Sequence, residues 1–444
     1  MRAPRAEASR AWDDPSSGAA YSESVTLIGT GAPPLHVDTT PLDSPVDLVP
    51  HADPRRPLLW QRNGSGLTGL GEALRLEFSG PDRVRDAAAS WRALSSSAVV
   101  SDPLGLPGTG LVAFGAFTFS SRSAERSVLI VPRTVIGTRD GRSWVTTVST
   151  SGGGARPDVP PAAALDDDYR VDLEPGAMTP DAYRAAVASA VAAISSGSLE
   201  KVVLARDLVG RLPRDGDLRR ILGDFAERYS DCWTFAVDGF LGASPETLVG
   251  VDRGAITARV LAGTSARGAD AAEDARIVQA LLDSAKDRSE HAFAIASLVR
   301  ELRPHTRSLT ISDEPFALQL PNVWHLATDV RGTLDDASTA LDLVDALHPT
   351  AAVAGTPTDR ALALLEELEP FDRGRYAGPV GWIDGNGDGE WAVGLRSTAI
   401  SADGAVTAWA GAGIVADSDP ASELAETRMK FRPVIDALGG AARP

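Results

Sequence analysis

The chain has 444 residues, of which 43 are Lys or Arg and 60 are Asp or Glu, for a formal net charge of −17. That acidic balance repels phosphate backbones and argues against a nucleic-acid partner, and no apolar run approaches the ~20 residues that span a bilayer. The single cysteine, Cys232, excludes a disulfide framework and a cysteine-based zinc site.

Residues 1–22 are polar and rich in Ala and Ser, and are expected to be a disordered tail. They contain no apolar core of the kind a secretory leader needs, so the cytoplasm is the expected compartment. From 23 to 150, the runs SVTLIGTG, GLVAFGAFTFS, SVLIVPRTVIGT and SWVTTVST read as strands broken by Gly and Pro, with one helix near 83–95. Residues 151–175 are rich in Gly, Pro and Asp and read as a surface connection. Thr179-Pro180-Asp181 then opens a helix, with a capping hydroxyl, Pro at the first position and an acid at the positive dipole end. Tyr183, Val187, Val191 and Ile194 form its apolar stripe and Gly197 ends it. LEKVVLARDLVG alternates as a strand, with Lys201, Val203 and Ala205 on one face. DLRRILGDFAERY reads as a helix and CWTFAVDGFLGASPETLVG as a strand pair. Helices are expected over 270–302, 338–347, 358–368 and 419–438, with strands at RYAGPVGWI, EWAVGLRSTAI and AVTAWAGAGIV between them. No repeat of fixed period is present. The mixture predicts an α+β fold with antiparallel hairpins.

Two motifs are discarded on context. GTGLVA at 108–113 fits a loose dinucleotide-binding pattern, but no helix follows it and no acid lies at the right distance. DGNGDG at 384–389 imitates the start of a calcium loop, but Leu395 occupies its twelfth position and strands flank it, so a hairpin turn is expected.

Three features carry chemistry. Only three of the 43 basic residues are lysine: Lys201, Lys286 and Lys430. Lysine, unlike arginine, can give up its proton when buried and serve as a base. Asp287 and Glu290, with Lys286 four before Glu290, share a helix face, as do Glu423 and Glu426 with Lys430 four after Glu426. Four carboxylates on two facing helices would suit a hard cation such as Mg²⁺, although such pairs are more often solvated helix decoration. Glu246 follows Gly-Ala-Ser-Pro at a strand end, where a carboxylic acid opposite a lysine base could deliver a proton that the base removes elsewhere. GTSARG (263–268) and GAGIV (411–415) read as tight Gly turns that present backbone N–H groups to an anion.

The ordered set LEKVVLAR, GFLGASPETLV, LAGTSARG, SAKDRSEH, HLATDVRG, LHPTAAVAGTP, FDRGRYAGPVGW, AVGLRSTAI and GAGIVADSDPASELAETRMK resembles the chorismate-utilising enzymes over about 175–438. Residues 23–150 resemble only the variable N-terminal part of that fold. The resemblance implies one large domain of two stacked, mainly antiparallel sheets with surrounding helices. It also implies Mg²⁺ as cofactor and chorismate as the small-molecule substrate. Lys201 matches the general base that activates a water for attack at C2, and Glu246 the acid that protonates the departing C4 hydroxyl. Glu290 and Glu426 match the Mg²⁺ ligands, with Asp287 and Glu423 holding metal-bound waters. Gly263, Thr264, Gly413 and Lys430 match positions around the ring carboxylate. Tyr376, Arg396 and Gly411 match those around the enolpyruvyl carboxylate, and His348 matches a further active-site position. Anthranilate synthases typically carry Gln where Lys201 stands, and aminodeoxychorismate synthases typically carry Lys where Ala262 stands. The Lys201 and Ala262 combination therefore implies water as nucleophile. Within the family the nearest resemblance is to the isochorismate synthases, whose product feeds menaquinone, siderophore and salicylate synthesis. A salicylate synthase, which goes on to eliminate pyruvate, and a non-catalytic chorismate binder are the alternatives. The resemblance implies a monomer without a glutaminase subunit, a nucleic-acid partner or a membrane. Ala351 and Ala354 depart from the family's more usual Pro and Gly.

Overall fold

The computed structural model describes residues 34–150, 161–162, 164–165, 169–320 and 323–440, excluding the side chains of Lys286 and Glu290. The expected tail at 1–22 and the SVTLIGTG strand lie outside the described residues. Two large sheets, of thirteen and ten strands, are stacked with helices around them, and neither closes into a barrel. Pairing is antiparallel throughout both sheets except between His36–Leu42 and Val99–Ser101. No described helix is long and apolar enough to cross a membrane.

Both halves of the chain build both sheets. In the larger sheet, Lys201–Arg211 pairs with Ala405–Ile414, and Trp233–Val237 pairs with Leu58–Arg62. In the smaller, Pro379–Asp384 lies between Gly389–Val393 and Val112–Ala116. Trp60, Phe235 and Phe240 of the larger sheet and Phe114, Val380 and Trp382 of the smaller form one buried cluster. A polar staple crosses the same interface. The indole nitrogens of Trp60 and Trp382 donate to one Glu390 oxygen at 3.0 and 3.1 Å, and Arg139 donates to the other at 2.7 Å.

The predicted helices form with the caps their sequences provide. Thr179 accepts the Ala182 N–H at the start of Pro180–Ser195. The Asp419 carboxylate accepts the Ser422 N–H at the start of Pro420–Ala437. Other expectations are corrected. The single helix expected over 270–302 breaks into Ala271–Asp283 and Ala285–Leu302. Ser284 is extended there, and its hydroxyl accepts the Asp287 N–H, so a capping signal interrupts the run. The strand pair expected from CWTFAVDGFLGASPETLVG is three strands, and they lie in two sheets. Trp233–Val237 and Phe240–Ser244 form a hairpin in the larger sheet, whereas Thr247–Asp252 belongs to the smaller. EWAVGLRSTAI likewise divides into Gly389–Val393 in the smaller sheet and Ser397–Ile400 in the larger. The chain therefore changes sheet at Pro245-Glu246 and changes back at Gly394-Leu395-Arg396. The 151–175 connection is not all surface: Val171 and Leu173 are buried, and Glu174–Pro175 adds a short strand beside Lys201–Arg211. DGNGDG is the hairpin turn expected between antiparallel strands.

The strand that carries Lys201 is fixed by a buried ion pair. Arg373 donates to both Glu369 oxygens, at 2.6 and 2.8 Å, and each side chain is about 95% buried, with exposures of 3% and 5%. Arg373 also donates to the carbonyls of Val203 and Val353, and Glu369 accepts the Ala205 N–H at 2.8 Å. The pair thus ties the end of helix Thr358–Leu368 to two positions on the lysine strand. Removing one partner strands the other as an uncompensated buried charge. Arg373→Met is expected to lower stability by about 3–5 kcal/mol. Glu369→Gln combined with Arg373→Met should recover part of that loss, as read from urea unfolding midpoints.

Candidate active site

One cavity of about 220 Å³ opens between the sheets, a volume suited to a small organic molecule. Lys201 and Val203 reach it from the Lys201–Arg211 strand, and Gly411 and Gly413 face it from the adjacent strand. The period of two along each strand puts these alternate residues on the cavity side. Gly411 is required by close approach: a Cβ there would lie 3.0 Å from the Leu204 carbonyl oxygen and 3.3 Å from the Tyr376 hydroxyl. Tyr376 itself lines the cavity, its phenol pushed up to about 12 by burial.

The two sheet crossings deliver the other reactive groups. Glu246 is 7% exposed, and burial pushes its carboxyl up to about 7 against the opposing pull of Lys201 and Lys430. A carboxylic acid that still holds its proton near neutrality therefore shares the cavity with a lysine amine. Arg396 adopts a left-handed backbone at φ 51 and is buried. Burial lowers its guanidinium pKa, and no described residue makes an ion pair or hydrogen bond with that guanidinium. A buried cation left unpaired inside a cavity is matched to an anion from outside the chain.

GTSARG is not a turn. It is the end of the long strand Ala255–Ala266, and the pairing register with Val323–Leu334 shifts between Ala262 and Thr264. The bulge at Gly263, with φ +82, lets Ala262, Gly263 and Thr264 all border the cavity. GAGIV similarly continues the strand Ala405–Ile414. Neither segment is the tight turn expected from its glycines.

Two helices supply carboxylates. Asp287, in the first turn of Ala285–Leu302, and Glu423 and Glu426, on Pro420–Ala437, line the same cavity. Glu423 accepts the Ser418 hydroxyl at 2.7 Å. Lys430 reaches Glu426 at 2.6 Å and the Gly411 carbonyl at 2.9 Å, which joins helix to strand. Burial works to raise the Glu426 carboxyl, but Lys430, Arg396 and Lys201 together hold it below its usual range. The side chain of Glu290 lies outside the described residues, as does that of Lys286.

His348 does not line the cavity. Its ring is buried against the Phe119 carbonyl, with burial pushing its pKa down to about 3. His325, which sequence reasoning passed over inside HLATDVRG, lines the cavity instead. Its Nδ1 lies 3.0 Å from the Thr264 hydroxyl oxygen, and its buried Nε2 has no partner. Burial, with Arg396 and Lys430 nearby, pushes it down to about 3, so this histidine is neutral. The signal that could have found it is its strand parity. His325 faces Thr264 across the ladder, one of the positions already singled out. Arg373 and Trp409 also line the cavity and were not singled out.

A family described as chorismate binding enzyme matches residues 45–159 and 160–439. Isochorismate synthase DhbC of Bacillus subtilis is 41% identical over 272 residues, covering 59% of this chain and 68% of its own. The salicylate biosynthesis isochorismate synthase of Pseudomonas aeruginosa is 35% identical over 424 residues, covering 86% of this chain and 85% of its own. Among solved structures, MenF, the menaquinone-specific isochorismate synthase from Escherichia coli, superposes with a TM-score of 0.74 at 25% identity, covering 92% of this chain and 95% of that one. Anthranilate synthase component I from Streptococcus pneumoniae shares the fold, with a TM-score of 0.61 at 19% identity.

The unpaired state of Arg396 has a measurable consequence. Its burial costs folding energy that no described ion pair or hydrogen bond returns, and the more distant Glu426 charge offsets it only in part. Arg396→Met is therefore expected to raise stability, by on the order of 1 kcal/mol, in urea unfolding without ligand. A fall in stability would show that the guanidinium is already compensated within the chain.

Proposed function

The chain belongs to the chorismate-binding enzymes, and from that membership we propose that it is an isochorismate synthase, an isomerase that moves a hydroxyl from C4 to C2 of chorismate. The observation that carries the reading is the pairing within one cavity of a lysine amine and a buried carboxyl that keeps its proton near pH 7. An addition of water at one carbon with loss of hydroxide at another needs such a base and such an acid. Ala262 at the bulge and Lys201 on its strand favour water as the nucleophile, over ammonia or a lysine amine.

In this reading the Lys201 amine takes a proton from the attacking water. The Glu246 carboxyl gives its proton to the hydroxyl leaving C4. Arg396 pairs with the enolpyruvyl carboxylate, with Tyr376 and the bare backbone of Gly411 beside it. Gly263, Thr264 and Gly413 border the ring carboxylate, and Lys430 adds positive charge there. In a chain of net charge −17, Arg396 and Lys430 make this cavity locally attractive to a dianion.

The donor set fits Mg²⁺. Among the described residues no three His, Cys, Asp or Glu side chains come together as a ready-made cage. Mg²⁺ uses only one or two carboxylates and completes its shell with waters and a ligand anion, and Asp287, Glu423 and Glu426 all border the cavity. Glu290 and Glu426 would hold the ion directly, with Asp287 and Glu423 orienting its waters. When bound, Mg²⁺ supplies positive charge that holds the substrate's ring carboxylate.

Purified protein with chorismate and Mg²⁺ is expected to form isochorismate, followed by chromatography, and to lose that activity with a chelator. Salicylate plus pyruvate as main products would replace the reading with a salicylate synthase, and unconsumed chorismate would leave a binding protein. Lys201→Ala should lose turnover while retaining chorismate binding, and Lys201→Arg should fail too because arginine stays protonated. The pH dependence follows from Glu246. An acid must carry its proton to donate it, so kcat/KM should fall as the pH rises through about 7. Activity still climbing at higher pH would remove Glu246 from that role.

A further inference from the structure

Arg206 lies on the strand that carries Lys201 but points away from the cavity. Lys201 and Val203 face the cavity, so the period of two sends Arg206 to the opposite face. There it meets helix Pro420–Ala437, which presents Glu423, Glu426 and Lys430 to the cavity. The Arg206 side chain is buried, with an exposure of 2%. Its Nε donates to the Thr427 hydroxyl at 2.8 Å, and its guanidinium carbon lies 4.9 Å from the centre of the Phe431 ring. Thr427 is fully buried, and its hydroxyl donates to the Leu424 carbonyl at 2.8 Å, which leaves its oxygen to accept from Arg206.

This is a costly way to join a strand to a helix. Burial lowers the guanidinium pKa to about 10, so the group stays charged at neutral pH, and no described carboxylate forms an ion pair with it. Its Nη1 is buried without a hydrogen-bond partner. An apolar side chain of similar length would fill the space at lower cost. Proteins keep such local violations where function needs them, and what the contact joins shows the need. Thr427 follows Glu426 directly and stands one helical turn after Glu423. Lys430 also ties this helix to the sheet, through the Gly411 carbonyl at 2.9 Å, but it pairs with Glu426 as well. That pair loosens when Glu426 turns to a cation. The Arg206–Thr427 bond uses no group of the cavity and is untouched by that exchange.

We propose that Arg206 is a positioning residue for the metal site. From the far face of the Lys201 strand it sets how deep helix Pro420–Ala437 sits, and so where Glu423 and Glu426 present their oxygens to a divalent cation. This rests on the reading of the cavity as the Mg²⁺ site of an isochorismate synthase. Arg206 touches neither substrate nor cation and acts only through Thr427 and Phe431.

Arg206→Met keeps the length of the side chain and removes its charge and its hydrogen bond. Thr427→Val removes the same bond from the helix side at nearly constant volume, and Thr427→Ser keeps it. Mn²⁺ titrated into the purified protein, with and without chorismate and followed by electron paramagnetic resonance, gives the Kd of the cation directly. Arg206→Met and Thr427→Val should each weaken Mn²⁺ binding by on the order of tenfold, the scale for losing a group that orients a metal ligand. The double variant should lose no more than the larger single effect, and Thr427→Ser should bind as the unaltered protein does. The urea unfolding midpoint of Arg206→Met should hold or rise, because an apolar chain replaces an incompletely paired buried cation. Unchanged Mn²⁺ affinity in either variant would overturn the proposal. Weaker affinity with a matching fall in the unfolding midpoint of both variants would overturn it in favour of general packing. The unaltered protein separates this inference from the reading beneath it. If it binds no Mn²⁺, the metal reading and this inference fail together; if it binds Mn²⁺ but leaves chorismate untouched, only the isochorismate synthase reading fails.

Discussion

A carboxyl and a guanidinium are buried at the two points where the chain passes from one sheet to the other, and both lose the hydration that ordinarily settles their charge. Everything reactive in the cavity depends on that loss. Burial outweighs the two lysines nearby and pushes the Glu246 carboxyl up to about 7. Arg396 makes no ion pair or hydrogen bond with a described residue because the crossing brings it inward, and Glu426 acts on it only through charge at a longer distance. The sheets supply the rigidity that makes this possible. Strands on either side of each crossing are pinned by ladders, so the intervening residues cannot relax outward to solvent.

Around those two groups the remaining charges are arranged to be useful without collapsing on one another. Lys430 pairs with Glu426 and the Gly411 carbonyl. The Arg373–Glu369 pair is a closed unit in which both charges are already matched, so it positions the lysine strand. The cavity thus contains a self-satisfied ion pair and an unsatisfied cation side by side. Only the second is free to take a ligand's charge.

The sequence carried much of this, but not all. Lys201 stood out because lysine is rare in the chain and because its strand alternates; the face it shares with Val203 is the face that meets the cavity. The acid pairs stood out because helical spacing of three places them on one side. Alternation identifies a strand but says nothing about which sheet it joins, so the sheet changes at Glu246 and Arg396 were invisible, and with them the reason either group is buried. Glycine misled in the opposite direction. At Gly263 its conformational freedom makes a bulge inside a strand, and at Gly411 its missing side chain admits a neighbour; both segments had read as turns. His325 lines the cavity and His348 does not, each for its own reason. His325 is placed by its ladder register opposite Thr264, whereas His348 ends the helix Ala340–Leu347 and turns its ring against the Phe119 carbonyl.

The interleaving of the sheets also bears on how the molecule is made. The strand that begins at Lys201 takes its ladder partner from Ala405–Ile414, about two hundred residues later. Glu423, Glu426 and Lys430 come later still. At synthesis rates of roughly 5–20 residues per second, the lysine strand waits on the order of ten seconds or more for that neighbour to leave the ribosome. Pairings so distant along the chain are slow to close. A nascent chain therefore carries Lys201, and then Glu246, well before it has anywhere to put them. Incomplete chains consequently lack one wall of the cavity and expose a long unpaired strand edge until translation has passed Ala405–Ile414.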